Sequence, residues 1–372
     1  MTEKTKLREG YTTGACATAA TKAALTALIT GDVQKEATIY LPVGRFVTFQ
    51  VESCEVANDS ATACVVKDGG DDPDATHGAH IVSTVTWINE AKIVLDGGAG
   101  VGRVTKEGLP VPVGEAAINP VPRQMILETA KEVLKNYQVT RGIKIIISVP
   151  NGEEIAKKTL NPRLGIIGGI SILGTRGIVV PFSTAAYRAS IVQAIRVAKA
   201  NGCNHVVITT GGRSEKYAMK EFPHLPEEAF IEMGDFVGFT LKQCKRLGIK
   251  KVSMVGMMGK FSKVAQGVMM VHSKSAPVDF HFLAKVAGEA GASQEVIEQI
   301  KNANTASQVG DMMLADGNIE FFQKLCDYCC LSALKEVGGG LEVETSLYTM
   351  NGQFLGKAVR ESVKNQNDWN RR

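Results

Sequence analysis

Between Lys67 and His77 the chain reads Lys-Asp-Gly-Gly-Asp-Asp-Pro-Asp-Ala-Thr-His, four carboxylates and an imidazole on a stretch that glycine and proline hold as a loop. Like charges this close raise one another's carboxyl pKa values, which suits general acid or base work. Asp68, Asp72 and His77 are therefore the catalytic candidates. The crowding would also suit a hard cation, but the regular EF-hand spacing is missing, and a solvated acidic turn needs no ligand at all. A second stretch runs from Asp96 through Gly97, Gly98, Gly100 and Gly102 to Arg103 and Lys106, and leads on to Asn119-Pro120-Val121-Pro122-Arg123. Backbone amides on glycine turns beside Arg and Lys form a receptor for several carboxylates; a surface turn with solvated charges is the plainer alternative.

Two further turns follow apolar strands. Gly211-Gly212-Arg213-Ser214 comes after Val206 to Thr210, and Gly256-Met257-Met258-Gly259-Lys260 comes after Val252 to Val255. Ligands of open α/β sheets settle at such strand ends, where glycine lets a backbone approach and helix N-termini present unpaired N–H groups. Neither turn has the G-x-G-x-x-G dinucleotide pattern or a Walker A loop, which disfavours a nucleotide-dependent ligase or kinase. Singly, each is also what an ordinary strand-to-helix connection needs; two in succession, each with a cation, point to a nucleoside or anion site. A third glycine-rich stretch, Gly165 to Gly177, is expected to serve either close backbone packing or a ligand lid.

Other candidates carry less. His272 and His281 have no Cys or His at ligand spacing and read as structural histidines. Cys326-Asp327-Tyr328-Cys329-Cys330 holds a C-x-x-C, but in a helix-like stretch with no second pair. Five of the eight cysteines (Cys16, Cys54, Cys64, Cys203, Cys244) stand singly among apolar neighbours, so reduced core thiols are expected.

The elements that position these residues fall into two kinds. Thr12-Thr13-Gly14 opens an alanine-rich helix, Ala15 to Ile29, with a threonine N-cap and a stop at Gly31. Strand-like segments follow at Ala37 to Leu41, Phe46 to Val51, Thr62 to Val66, Ile81 to Ile88 and Lys92 to Leu95, then a helix from Pro122 to Tyr137. From Gly142 continuous apolar strands (Ile143 to Val149, Val206 to Thr210, Val252 to Val255) alternate with helices at Ala185 to Ala200 and Glu227 to Leu247. That is the grammar of a parallel sheet covered on both faces. Further helices are expected at Ala276 to Ala290, Gln294 to Asn302 and Asn318 to Glu336. The fold class is mixed α/β and α+β: a strand-rich domain over residues 1–138, a doubly wound α/β domain with extra C-terminal helices over 139–345, and a tail over 346–372.

At 372 residues with 44% hydrophobic and 22% charged side chains, the chain is long enough for two cores and is neither disordered nor of low complexity. A net charge of +4 is too small for a nucleic-acid binder. No secretory signal and no apolar run long enough to span a bilayer are seen, so a cytoplasmic protein without membrane contact is expected.

Taken together, Gly10-Tyr11-Thr12-Thr13-Gly14-Ala15-Cys16, Lys67-Asp68 through Asp74, Gly97 to Lys106, Gly114 to Arg123 and Asn161-Pro162-Arg163-Leu164-Gly165 through Gly177 resemble the cobalt-precorrin-5B C(1)-methyltransferase family of anaerobic cobalamin biosynthesis. The order is kept from about Gly10 to Lys260 and continues through His272 to Asp279, with small departures at Ala15 and Gly69. The resemblance implies methyl transfer from S-adenosylmethionine to carbon 1 of a cobalt-containing corrinoid, giving cobalt-precorrin-6A. The cobalt would belong to the substrate, with no metal held by the protein. The substrate would be a ring bearing acetate and propionate arms, for which Arg103, Lys106, Arg123 and Arg163 are the expected cations. Thr12, Thr13 and Gly14 complete the substrate-binding set. Gly211, Gly212, Arg213, Ser214, Gly256, Met257, Gly259 and Lys260 are expected to hold the donor, in the second domain. A noncatalytic corrinoid carrier is the alternative. There is room for a homo-oligomer and for transient contact with neighbouring pathway enzymes.

Overall fold

The computed structural model describes residues 7–361. Two compact units make up the chain, one ending at Thr184 and the other beginning at Ala185. The first contains β1 (Gly10–Tyr11), α1 (Thr13–Thr30), β2 (Glu36–Leu41), β3 (Arg45–Gln50), β4 (Ser53–Val56), β5 (Ser60–Val66), β6 (His80–Ile88), β7 (Ile93–Gly97), β8 (Gly100–Val101), β9 (Arg103–Val104), α2 (Pro120–Asn136), β10 (Gly142–Ser148), α3 (Gly152–Ala156), β11 (Ile166–Ile167), β12 (Gly169–Ile170) and β13 (Ile178–Val179).

Helix α1 begins where the sequence says it should. The Thr12 hydroxyl accepts the Ala15 N–H at 3.2 Å, and Gly31, at φ +80°, turns its N–H back to the Ala27 carbonyl. Its alanines let the backbone lie close to the sheet and to α2, so it is buried along almost its whole length rather than on one face. Thr18 and Thr21, also buried, return their hydroxyls to the carbonyls of Gly14 and Ala17, each at 2.8 Å. The sheet beneath has strand order β4-β5-β6-β10-β7, antiparallel except for β10 with β7. Ile81, Ser83 and Val85 of β6 alternate inward with the strand period.

The expected domain boundary at residue 138 is corrected here. Strand β10 lies between β6 and β7 of the first unit, with Ile143 opposite Trp87 on one side and Ile93 on the other. A continuous apolar strand fits the middle of any sheet covered on both faces, so its composition does not reveal which sheet it joins.

The second unit contains α4 (Thr184–Ala200), β14 (His205–Thr209), α5 (Gly212–Glu221), β15 (Phe230–Glu232), α6 (Val237–Arg246), β16 (Lys251–Met257), α7 (Met258–Ala265), α8 (Phe280–Glu289), α9 (Gln294–Lys301), α10 (Ala306–Ala315), α11 (Ile319–Val337), β17 (Glu342–Tyr348) and β18 (Phe354–Arg360). Its sheet runs β15-β14-β16-β17-β18, parallel except for the antiparallel edge β18. Val206 and Ile208 face a large core with α4, α6, α7 and α11, while Val207 faces the smaller cluster under α5. Helices on both faces make the unit doubly wound. Two expectations change. Glu227 to Leu247 is not one helix, because Phe230–Glu232 fills the sheet edge beside β14 and Gly234, at φ +57°, turns the chain before α6. Residues 346–361 are not a tail, since they complete β17 and form β18; the expected tail beyond 361 lies outside the described residues. Among the described residues no helix is long and apolar enough to cross a membrane.

Candidate active site

In the second unit the chain leaves β14 toward β15 on one side and leaves β16 toward β17 on the other. The carboxyl ends of β14 and β16 therefore flank a topological switch point, the place where open α/β sheets hold ligands. Both glycine turns stand there, since Thr209 and Val255 are register partners. A Cβ built on Gly212 or on Gly259 meets nothing within 4 Å, so the backbone at both turns faces open space. Gly256 differs: its Cβ would lie 2.0 Å from the Phe261 ring, and packing alone explains that glycine. Ser214 is buried and closes the turn by donating to the Gly211 carbonyl at 2.8 Å. Arg213 is exposed at the start of α5, Met257 is half-buried, and Lys260 pairs with Asp235 at 2.9 Å.

Sequence reasoning missed Glu232. It ends β15 opposite Thr209, and its Oε1 lies 3.7 Å from where a Gly211 Cβ would be. An acid at the end of the second strand, about twenty residues after the glycine turn, is the placement that takes ribose hydroxyls in nucleoside sites. The signal was present in the spacing, but reading Glu227 to Leu247 as a helix hid it. Tyr187 lies near the same acids: burial, then the charges of Glu232 and Asp235, push its phenol up to about 12. The Thr209 hydroxyl is buried without a hydrogen-bond partner among the described residues. A cavity of about 580 Å³ lies elsewhere, by Gln266 and Gly267 beyond the far end of α7.

In the first unit the four expected cations lie around the β9 turn and the β9–β11 ladder. β9 runs antiparallel to β11, Arg103 opposite Ile167, and this brings Lys106 Nζ to 3.4 Å from the Arg163 carbonyl. The Arg103 guanidinium donates to Asp96 at 3.0 Å and to the Gly114 carbonyl at 3.4 Å, while Arg123 donates to Glu115 at 3.1 Å, so the two flank one turn. Burial raises the Asp96 pKa, but the hydrogen bonds from Arg103 and the Gly97 N–H, with the charges of Arg103 and Lys144, together outweigh it and hold the carboxyl below its usual range. Ion pairs this exposed contribute little, so either guanidinium can turn to a ligand carboxylate. Glycine in the third stretch serves packing: a Cβ on Gly169 would lie 2.1 Å from the Gly100 carbonyl oxygen, and one on Gly174 would meet Thr12 at 2.4 Å. Thr12, Thr13 and Gly14 are buried, and Thr13 Oγ1 and the Gly14 N–H bond the backbone of Leu173. They fix that stretch to α1 rather than lie open to solvent.

The acidic loop is bonded throughout. Both Asp68 oxygens accept from the Arg8 guanidinium, which holds the carboxyl below its usual range. His77 Nδ1 accepts the Gly69 N–H at 3.0 Å, which places the neutral ring's proton on Nε2. Asp71 accepts the Arg8 N–H at 2.6 Å, Asp72 accepts the Phe182 N–H at 2.8 Å, and Asp74 binds the buried Lys67 ammonium at 2.6 Å. The expected upward shifts from crowding are therefore absent at Asp68 and Asp74: Arg8 and the Gly70 N–H at Asp68, and Lys67 with Thr76 at Asp74, outweigh the effect of burial.

The remaining sequence candidates are structural. Cys326, Cys329 and Cys330 are free and buried on α11, and burial pushes the Cys330 thiol up to about 12. His272 Nδ1 accepts the Lys274 N–H at 3.1 Å. Among the described residues no group of three or more His, Cys, Asp or Glu could hold a metal ion.

The CbiD family matches residues 1–181, and the CbiD C-terminal domain matches residues 270–359. A protein of Geobacillus sp. (strain WCH70) named cobalt-precorrin-5B C(1)-methyltransferase is 77% identical over 98% of this chain and 100% of its own length. One of the same name from Leptospira borgpetersenii is 45% identical over 97% of this chain and 98% of its own length. Among solved structures, a cobalamin biosynthesis protein (CbiD) from Archaeoglobus fulgidus is similar at 26% identity and a TM-score of 0.38, covering 84% of this chain and 85% of that one. With family matches at both ends and relatives aligned over nearly every residue, the chain belongs to the CbiD family.

Proposed function

We propose that the protein methylates carbon 1 of cobalt-precorrin-5B with S-adenosylmethionine, giving cobalt-precorrin-6A in the cytoplasm. The observation that carries this is the 77% identity, over 98% of the chain, to a protein named for that reaction. When bound, S-adenosylmethionine supplies a methyl on a sulfonium: the S–C bond breaks toward sulfur, and a ring electron pair forms the new C–C bond. The positive charge passes from sulfonium to macrocycle, so the leaving thioether needs no proton.

The switch point fits such a donor because open backbone at Gly212 and Gly259 leaves room for it. Gly211, Gly212 and Gly259 would line the nucleoside, Glu232 would accept from the ribose hydroxyls, and Arg213 or the N–H groups opening α5 would meet the amino-acid carboxylate. Met257 and Lys260 border this space; Ser214 and Gly256 shape it from behind. In the first unit Arg103, Lys106, Arg123 and Arg163 would take the ring's carboxylate arms, with Thr12, Thr13 and Gly14 setting the backbone that carries them. Positioning supplies most of the rate for an already activated methyl. Asp68 is held ionised by Arg8, which leaves His77, an exposed side chain whose Nδ1 is taken by the Gly69 N–H, as the loop group that would exchange a proton with the ring through Nε2.

Titration calorimetry with S-adenosylhomocysteine tests the reading. An enzyme of this kind binds it stoichiometrically, whereas a corrinoid carrier has no use for the donor, and absence of binding would overturn the proposal.

A further inference from the structure

Phe182, just beyond β13, has features that packing does not explain. Its φ is +53°, in the left-handed region where any side chain is disfavoured. It is 67% exposed, in a chain where aromatic residues make up only 6%. Among the described residues no aromatic or cationic group stacks on its ring, whereas the exposed rings of Tyr40 and Phe46 pack on each other with centroids 5.0 Å apart. The unfavourable backbone is held from far along the sequence, by the Phe182 N–H donating to Asp72 Oδ1 at 2.8 Å. Glycine or asparagine would take this conformation at lower cost, and an exposed ring gains nothing from burial. Outliers of this kind gather at ligand contacts.

The surroundings suit one class of ligand. β13 pairs with β1, Gly10 opposite Val179, which brings the N-terminal strand and the acidic loop alongside. Arg176, immediately before that ribbon, is exposed, and its guanidinium makes no ion pair or hydrogen bond among the described residues. A bare aromatic face with an uncommitted cation a few residues away matches a flat conjugated ring with carboxylate arms. We propose that Phe182 stacks on the face of the corrinoid macrocycle, with Asp72 as the positioning residue that holds it there and Arg176 taking one peripheral carboxylate. This rests on the methyltransferase reading, and it turns Asp72 from an acid/base candidate into a support.

The test is steady-state methylation of the corrinoid, with separate KM values for ring and donor, alongside thermal melts. Phe182→Gly melts at or above the wild-type temperature because the left-handed penalty is removed, yet its KM for the ring rises by about three- to tenfold, the scale of an aromatic contact. Its KM for the donor is unmoved. Phe182→Asn, which also tolerates the left-handed region, behaves alike, and Phe182→Trp restores ring affinity. Asp72→Ala raises the ring KM, while Asp72→Asn, which keeps an oxygen for the Phe182 N–H, recovers most of it. A wild-type ring KM in both Phe182→Gly and Phe182→Asn overturns the proposal. So does an Asp72→Asn variant whose kcat falls as an acid/base role requires. A wild-type protein that leaves the ring unmethylated would instead overturn the function beneath it.

Discussion

Replacing Asp74 by alanine should be among the most damaging single changes available in the acidic loop. Lys67 is 2% exposed, and its ammonium lies 2.6 Å from Asp74 Oδ2; the other oxygen of Asp74 accepts from the N–H and hydroxyl of Thr76 at 2.7 and 2.6 Å. Removing the carboxylate leaves a buried ammonium without its counter-charge, a loss of about 3–5 kcal/mol. For a unit of this size each kcal/mol is worth about 2–4 °C, so the melting temperature should fall by about 6–20 °C. Lys67→Met in the same chain removes the stranded charge at similar volume and should recover most of the loss. The pH dependence has a definite sign. Burial raises the Asp74 pKa, but Lys67 and Thr76 outweigh it and the folded value lies below the unfolded one. The pair's contribution is therefore complete above the unfolded carboxyl value of about 3.9 and is lost as pH falls through the lower folded value. Circular-dichroism melts of wild type, both single variants and the double variant between acidic and neutral pH would decide it. An Asp74→Ala protein within about 0.5 kcal/mol of wild type, the range of an ordinary surface change, would refute the argument. So would a double variant less stable than Asp74→Ala alone.

Three other expectations concern ligands. Gly212→Leu and Gly259→Leu should abolish S-adenosylhomocysteine binding in calorimetry while melting like wild type, because the new side chains enter open space; retained binding in both would move the donor site. Glu232→Gln should weaken the same ligand by about 10- to 100-fold, the worth of hydrogen bonds to a charged acceptor, and should erase preference over a deoxyribose analogue. Corrinoid affinity should fall with added salt, since these exposed ion pairs are screened over about 8 Å at physiological ionic strength. Arg103→Ala and Arg123→Ala should each lower that affinity and flatten its salt dependence; a salt-independent wild type would contradict this.

What the sequence disclosed depended on whether the signal was local. Helix α1 was legible because Thr12 caps it and Gly31 stops it, and β6 because its burial alternates over Ile81, Ser83 and Val85. Strand β10 was visible as a strand, but its partners β7 and β6 lie about fifty and sixty residues back, and nothing in Ile143 to Ile147 names them. The two-residue ladders β8 with β12 and β9 with β11 were invisible, since so short a pairing leaves no periodicity. The same limit held in the candidate site. Arg103, Lys106, Arg123 and Arg163 were found by type, while the β9–β11 ladder that brings Lys106 to the Arg163 carbonyl and the turn that Arg103 and Arg123 flank are properties of the fold. Asp68 and Asp72 stood out for their crowding, but Arg8 and Phe182, the partners that define what each does, come from distant parts of the chain. Phe182 left no sequence signal, because a left-handed backbone at an aromatic residue is set by what holds it.

The central claim is methyl transfer to carbon 1 of the ring. Purified protein incubated anaerobically with cobalt-precorrin-5B and S-adenosylmethionine carrying an isotope-labelled methyl, with the product located by nuclear magnetic resonance, tests it most directly. The account predicts one labelled methyl per ring, at carbon 1, with an equal amount of S-adenosylhomocysteine released. Label at another position, or a bound but unmethylated corrinoid with the donor intact, would contradict it.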